Sequence, residues 1–366
     1  MNKNHFIVHH RFHDNIACLI ETLQNAGYSI RLFVILKTKT ETYDLVEPII
    51  SPPSSLSSFG KRLFKKDLLA FIPSIRSVFQ EYRVNRPEYV LIRPLVSGIG
   101  LVHFVFALWY CKKVILYSQS PKYRPKNAKN DFFLKLVLAL PKTEWITPVK
   151  YRSNEAFEKQ LSPHQKINYI QLPHNKVESK KTWFKNDVVN LLLIAKSQSY
   201  KNHTVLIEAL RGLDKSRYKL SIAGDYSNKD AYTQQTLGKL ESADIHYELL
   251  GYIPHEEIGK VYQSSDLLIL PSSYEMHGYV VNEAVSYSVP VIVSSETGTK
   301  CLVEDGVNGF VFKNNDSDHL RSVLINILEN RDQLIGLSEN CKEMYNLELS
   351  PKGFLKNYEL ILGRKH

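Results

Sequence analysis

The chain predicts an α/β protein with two parallel sheets, each in its own Rossmann-like half. Three observations lead there. First, 366 residues exceed what one core ordinarily supports, and 43% apolar residues are enough to fill two. Second, short β-branched or leucine-rich runs bounded by turn residues recur, as strands buried on both faces require. Third, segments long enough for helices separate those runs, so strand and helix alternate.

In order, the first half offers a strand at His5–His10 and a helix from about Asn15 to Ala26. Asp14 or Asn15 serves as its N-cap, and Gly27 stops it. A strand at Ser29–Leu36 follows, then strands at Glu88–Arg93 and Lys113–Tyr117 with a helix at about Ile99–Tyr110 between them. The second half repeats the style, with strands at Val188–Ala195, Lys219–Ala223, His246–Leu249, Asp266–Leu270 and Pro290–Ser294 and a short late strand at Gly309–Phe312. The join lies near Leu172–Phe184, where Pro173 ends the strand-like INYIQL and a polar stretch follows. The expected domains are therefore residues 1–175 and 176–350, with a C-terminal helix in 351–366.

Composition narrows the function. The longest apolar run, 99–111, is interrupted by His103 and is too short to span a bilayer, and the N-terminus lacks a long apolar stretch of the secretory kind. The expected location is cytoplasmic. Cys18, Cys111, Cys301 and Cys341 show no paired short spacing and read as reduced packing residues. Charge is split unevenly: residues 1–175 carry 25 Lys and Arg against 12 Asp and Glu, a balance of +13, while the remainder, 22 against 25, carries −3. A basic half suits an anionic partner such as nucleic acid, a membrane surface or a phosphate-bearing substrate.

The segment PSSYEMHGYVVNEA holds Glu275 and Glu283 eight positions apart around Gly278, between the apolar runs DLLIL and VPVIVSS. It reads as a loop and then a helix. Glu275 falls in the loop at the carboxyl end of a parallel strand, where open α/β sheets bind ligands, and Glu283 about two turns into the helix, so that both acids face one crevice. Upstream, the strand VVNLLLIA leads into KSQSYKNHTVLIEAL, which sets Lys196 and Lys201 in a loop that opens a helix. Cations there suit a phosphate.

This pattern resembles the two-glutamate motif of retaining family 4 glycosyltransferases, which have the GT-B fold. In that family a small residue, Glu, a Gly-containing link, an apolar stretch and a second Glu-Ala precede Gly-x-Pro-Val-Ile. Here they are Ser273, Glu275, Gly278, Glu283-Ala284 and Ser288-Val-Pro-Val-Ile292, with serine for the second glycine. The resemblance implies two Rossmann-like domains facing a central cleft, with the final helix crossing back to the first domain. It also implies a nucleotide-sugar donor, UDP-, GDP- or another, on the C-terminal domain and a glycan or lipid-linked acceptor on the N-terminal one. Lys201 is thereby assigned to the diphosphate and, with Glu275, to catalysis. Lys196 stands where the family has an arginine, a point charge in place of a planar fork. Glu275 would address the transferred sugar, Glu283 the ribose, and amides near Gly278 and Tyr279 the phosphates. Gly224, in the turn Gly224-Asp225, would border the donor, as would the backbone of Tyr252 and Ile253. Gly298 and Thr299 would present amides to phosphate. The leaving phosphate would take the acceptor proton, and neither a cofactor nor a divalent metal is expected.

The first half is less explicit. HHRFHDN at 9–15 fills the first strand-to-helix loop, where His10, Arg11 and His13 serve either acceptor hydrogen bonding or capping and packing. No carboxylate or cysteine framework accompanies these histidines, so no metal site is expected. Gln119 stands where the family often has a cleft histidine. The stretch 59–79 mixes rings with Lys61, Arg62, Lys65 and Lys66, and reads either as a contact for anionic lipid or as an amphipathic helix with a solvated charged face. A second basic run, 121–130, adds weight to a peripheral place on the inner face of the membrane. Two other readings stand beside transfer. A same-fold sugar-nucleotide epimerase or hydrolase would act without acceptor. A nucleic-acid-binding protein would show aromatics interleaved with bases on a sheet, or a groove-reading helix; neither motif appears, so no nucleic-acid partner is expected.

Overall fold

The computed structural model describes residues 3–12, 16–36, 44–57, 70–119, 135–149, 167–175, 181–228 and 230–363. His13, the expected caps Asp14 and Asn15, the cations Lys61, Arg62, Lys65 and Lys66, and the 121–130 run lie outside the described residues. The chain divides into two compact units, Met1–Pro173 with Pro351–His366, and His174–Ser350.

The first unit is built on β1 (Lys3–Val8), β2 (Tyr28–Val34), β3 (Ile49–Ile50), β4 (Tyr89–Ile92), β5 (Lys113–Tyr117), β6 (Thr143–Thr147) and β7 (Ile167–Tyr169). These form one parallel sheet in the order β3-β2-β1-β4-β5-β6-β7. Its helices are α1 (Ala17–Asn25), α2 (Ile75–Asn85), α3 (Gly98–Tyr110) and, from the far end of the chain, α10 (Pro351–Ile361). Alternation along each strand sends neighbours to opposite faces. Ile7, Leu32, Leu91 and Ile115 pack with Leu19, Ile20 and Leu23 of α1 and with Phe354 and Tyr358 of α10. Phe6, Val8, Val90 and Leu116 pack with Val78 and Tyr82 of α2 and with Ile99 and Phe104 of α3. The α10 helix is tied in further by its buried Tyr358 hydroxyl, 2.7 Å from His5 Nε2.

The expected strand at His5–His10 is observed as Lys3–Val8, and pairing with the neighbouring chain continues beyond it as His9 N to Phe33 O at 2.9 Å and Ile35 N to His10 O at 3.1 Å. Strand β6 is absent from the sequence expectation. Its TEWIT segment carries Glu144 in a strand, tolerated because Lys113 of β5 pairs with it at 3.0 Å and Asn168 of β7 donates to it at 3.3 Å. Helix α1 starts at Ala17 with Ile16 in the cap position and no side-chain cap. Along α3, Leu101, Val105 and Trp109 recur at one-turn spacing and are exposed, Trp109 by 82%. No helix among the described residues is long and apolar enough to cross a membrane.

The second unit holds β8 (Val189–Ile194), β9 (Tyr218–Ala223), β10 (Tyr247–Gly251), β11 (Leu267–Leu270), β12 (Val291–Ser294) and β13 (Gly309–Phe312), parallel throughout in the order β10-β9-β8-β11-β12-β13. Its helices are α4 (His203–Leu210), α5 (Ala231–Ser242), α6 (His255–Gln263), α7 (Tyr279–Ser286), α8 (Ser317–Glu329) and α9 (Gln333–Met344). Helix α4 packs on one face of the sheet, and α6 and α7 on the other.

Phe354 is fully buried in the first unit. Phe354→Ala is expected to cost about 3–5 kcal/mol, the usual range for a large side chain deleted from a core. Urea unfolding followed by circular dichroism measures it, and a loss under about 1 kcal/mol would show that α10 does not share that core.

Candidate active site

In each sheet the strand order reverses once, and helices leave the two strands at that point for opposite faces. In the second unit the reversal falls between β8 and β11. Open α/β sheets bind ligands outside the carboxyl ends of the strands at such a place.

The loop after β8 runs through Lys196 to a single 3-10 turn at Ser199–Lys201 and then enters α4. The loop after β11 carries Glu275. Lys201 Nζ and Glu275 Oε2 form an ion pair whose side chains are each 15% exposed. Ser272 Oγ donates to the same oxygen at 3.4 Å. Backbone bonds stitch the surrounding loops together: Ser273 N donates to Tyr200 O at 2.8 Å, and Gly298 N to Glu275 O at 2.7 Å. Lys201, Glu275 and Gly298 thus come together from the loops after β8, β11 and β12. Lys196 is exposed and has no partner among the described residues.

Gly278 is the N-cap of α7. A Cβ there would lie 2.7 Å from Leu270 Cδ2 and 3.3 Å from Thr299 Oγ1, so only glycine lets the helix start this close to β11. Thr299 is fully buried, and its hydroxyl has no hydrogen-bond partner among the described residues. Tyr279 opens the helix with its ring edge-on to His277, 4.8 Å between centroids. Gly224 is needed for a similar reason: a Cβ would meet the Ala195 carbonyl oxygen at 2.0 Å. Tyr252 is largely exposed between β10 and α6, and Ile253 partly so.

Glu283 is the fifth residue of α7, in its second turn, and its Oε2 accepts from Tyr262 Oη of α6 at 2.7 Å. The two glutamates are therefore held by different partners, Glu275 by the loop lysine and Glu283 by a tyrosine stacked on Tyr287 at 5.1 Å. The Gly298 N–H donates to the Glu275 carbonyl.

His203, the first residue of α4, was not singled out by the sequence. It is buried, with Nε2 2.6 Å from Tyr226 Oη and Nδ1 3.1 Å from Tyr232 Oη. Tyr226 Oη in turn donates to Ala195 O at 3.3 Å, so this network locks the start of α4 against the end of β8. Burial first, and then the charge of Lys201, lower its pKa from 6.5 to about 4.

In the first unit the reversal falls between β1 and β4. His10 and Arg11 follow β1, with the His9 and His10 rings stacked at 4.6 Å. Gln119, two residues past β5, accepts from Nη2 of Arg93, whose guanidinium carbon sits 5.1 Å over the Tyr117 ring. Arg93 is a second residue that the sequence reading passed over. Among the described residues no group of three His, Cys, Asp or Glu side chains is placed to hold a metal ion.

Residues 175–344 match the family model of glycosyl transferases group 1. Among curated proteins, the alpha-monoglucosyldiacylglycerol synthase of Acholeplasma laidlawii is 30% identical over 198 residues, 54% of this chain and 47% of that protein. The UDP-Gal:alpha-D-GlcNAc-diphosphoundecaprenol alpha-1,3-galactosyltransferase of Escherichia coli is 31% identical over 119 residues, 32% of this chain and 29% of that protein. The chain thus spans less than half the length of these curated relatives. Among solved structures, a glycosyltransferase from Rickettsia africae superposes with a TM-score of 0.76 at 15% identity over 100% of both chains. The HepE protein of Anabaena, solved with UDP and glucose, gives 0.71 at 16% identity over 99% of this chain and 100% of that one. At these identities the likeness is one of fold, and it assigns the two Rossmann-like units to the GT-B class.

His203 generates a pH prediction. Its folded pKa lies below the unfolded value, so the unfolded chain takes up the proton first, and stability falls as pH drops from 6.5 towards 4. The full effect is about 3 kcal/mol. Chemical denaturation at pH 7 and pH 4 should show wild type losing more than His203→Gln by roughly that amount; equal losses would mean that the imidazole is not held neutral.

Proposed function

We propose that the chain is a retaining family 4 glycosyltransferase that moves a sugar from a nucleoside-diphosphate sugar to a glycan or lipid-linked acceptor, in the assembly of a bacterial surface polysaccharide. The observation that carries this reading is the Lys201–Glu275 ion pair at the strand reversal of the second unit. Glycosyl transfer develops negative charge on a departing diphosphate, and a preplaced cation in a water-poor site stabilises it. An ammonium held by a carboxylate and backed by the start of α4 is so placed. The diphosphate would compete with Glu275 for Lys201, leaving the carboxylate to the sugar. Lys196, exposed on the same loop, would add a second cation. Glu283, steadied by Tyr262, would take the ribose, and Tyr279, at the start of α7, would lend its amide to phosphate.

The relatives support the substrate classes. The Anabaena structure holds UDP and glucose, and the two curated relatives are named for a diacylglycerol product and a diphosphoundecaprenol-linked acceptor. Acceptor binding is proposed on the first unit, around His10, Arg11 and Gln119, with His13 three positions after His10 in the sequence. The same unit exposes the Leu101, Val105 and Trp109 stripe of α3, which suits a peripheral place on an anionic cytoplasmic membrane face.

The leaving phosphate would accept the acceptor proton on the same face, so no enzyme base and no divalent ion are called for. Three outcomes test this. Transfer should survive excess EDTA. Product NMR should show the anomeric configuration of the donor, and an inverted product would contradict the family 4 reading. Glu275→Gln should lower turnover by about 100-fold or more, about 2.7 kcal/mol of barrier, in protein that still folds and binds nucleotide, with a lowered melting temperature because Lys201 loses its carboxylate. A variant that keeps a tenth of the activity would remove Glu275 from catalysis.

A further inference from the structure

We infer that Arg93 anchors an oxyanion of the acceptor at the strand reversal of the first unit. This rests on the reading above only for the word acceptor; the anion site itself follows from the geometry. Val8 of β1 pairs with Ile92 of β4, and Ile92 with Leu116 of β5. One step further along this register stand His9, Arg93 and Tyr117, at the carboxyl ends of the three central strands. The second unit has the Lys201–Glu275 pair at the equivalent place, a cation matched by a carboxylate. Among the described residues Arg93 has no such carboxylate.

Its contacts among the described residues are Nη2 to Gln119 Oε1, the Tyr117 ring face at 5.1 Å, and its own backbone amide to Val8 O at 2.9 Å. Other arginines of the same chain find acids: Arg31 pairs with Glu81 and Arg331 with Asp187, each at 2.7 Å. A guanidinium stays charged and has five N–H donors in a fixed fork. The ring and the Gln119 amide fix the plane of that fork and use one donor between them, which leaves donors for a bidentate oxyanion. Gln119 cannot neutralise the charge, and residues 1–175 as a whole carry 25 Lys and Arg against 12 Asp and Glu, a net balance that favours an anionic partner. The ligand chemistry is that of a phosphate or a carboxylate carried by the acceptor.

The test uses full-length protein labelled with 15N-arginine. The Arg93 Nε–Hε resonance is identified by its loss in Arg93→Lys. Inorganic phosphate and, separately, sodium acetate are then titrated at an ionic strength held constant with chloride. The expected result is a saturable shift of that resonance, with phosphate alone if the acceptor group is a phosphate and with acetate alone if it is a carboxylate. The shift should persist in Lys201→Ala and should be lost in Gln119→Glu, which sets a carboxylate against the guanidinium. If Gln119→Glu does not fold, calorimetry on Arg93→Lys serves instead, with anion affinity expected to fall about tenfold or more. No shift beyond the chloride control overturns the inference, and so does a shift that disappears in Lys201→Ala, because the anion would then sit in the second unit. Failure of the donor reading shows separately, as nucleoside diphosphate affinity that Lys201→Ala leaves unchanged.

Discussion

The reversal of strand order in each parallel sheet is the constraint on which the rest of the structure depends. Where β8 lies beside β11, the chain must send α4 to one face and α7 to the other, so the two loops diverge at the carboxyl ends, where open α/β sheets bind ligands. Diverging loops need holding, and here the Lys201–Glu275 ion pair joins them while Ser273 N, bonded to Tyr200 O, ties their backbones. Both charges are mostly shielded from water, so removing one would leave the other unpaired in a low dielectric, a far larger penalty than for a surface pair. The same pair that holds the loops therefore sets the charge a ligand would meet.

Close packing around these loops sets the position of their parts. Gly224 lets β9 end against the Ala195 carbonyl, and Gly278 lets α7 begin against Leu270 and Thr299. His203 ties the first turn of α4 to Tyr226 and Tyr232. None of these contacts needs to touch a ligand to matter, because a shift of an ångström in the loop that carries Lys201 would misplace its ammonium.

Much of this was legible in the sequence, and what was hidden has physical causes. Strands such as LLIL at 267–270 and VIVS at 291–294 are buried on both faces, so their composition announces them. Strand β6 is hidden because the partners of Glu144 lie on neighbouring strands, which a linear reading cannot see. The candidate acids and lysines stand out by motif, but that Lys201 meets Glu275, 74 positions away, is a fact of topology. Glu283 likewise meets Tyr262 through the packing of α6 on α7, and Arg93 meets Gln119 through the register of β4 on β5. The family match at 175–344 covers the unit with the explicit motif, whereas the first unit, where an acceptor is proposed, carries no comparable pattern.

The central claim is that Lys201 receives a diphosphate at the strand reversal of the second unit. Its most direct test is calorimetric binding of a nucleoside diphosphate and of the monophosphate with the same base, to wild type and to Lys201→Ala. A lysine seated on the terminal phosphate predicts that wild type prefers the diphosphate by about tenfold or more, about 1.4 kcal/mol, and that Lys201→Ala loses most of that preference while keeping its affinity for the monophosphate. An unchanged preference in the variant would contradict the claim.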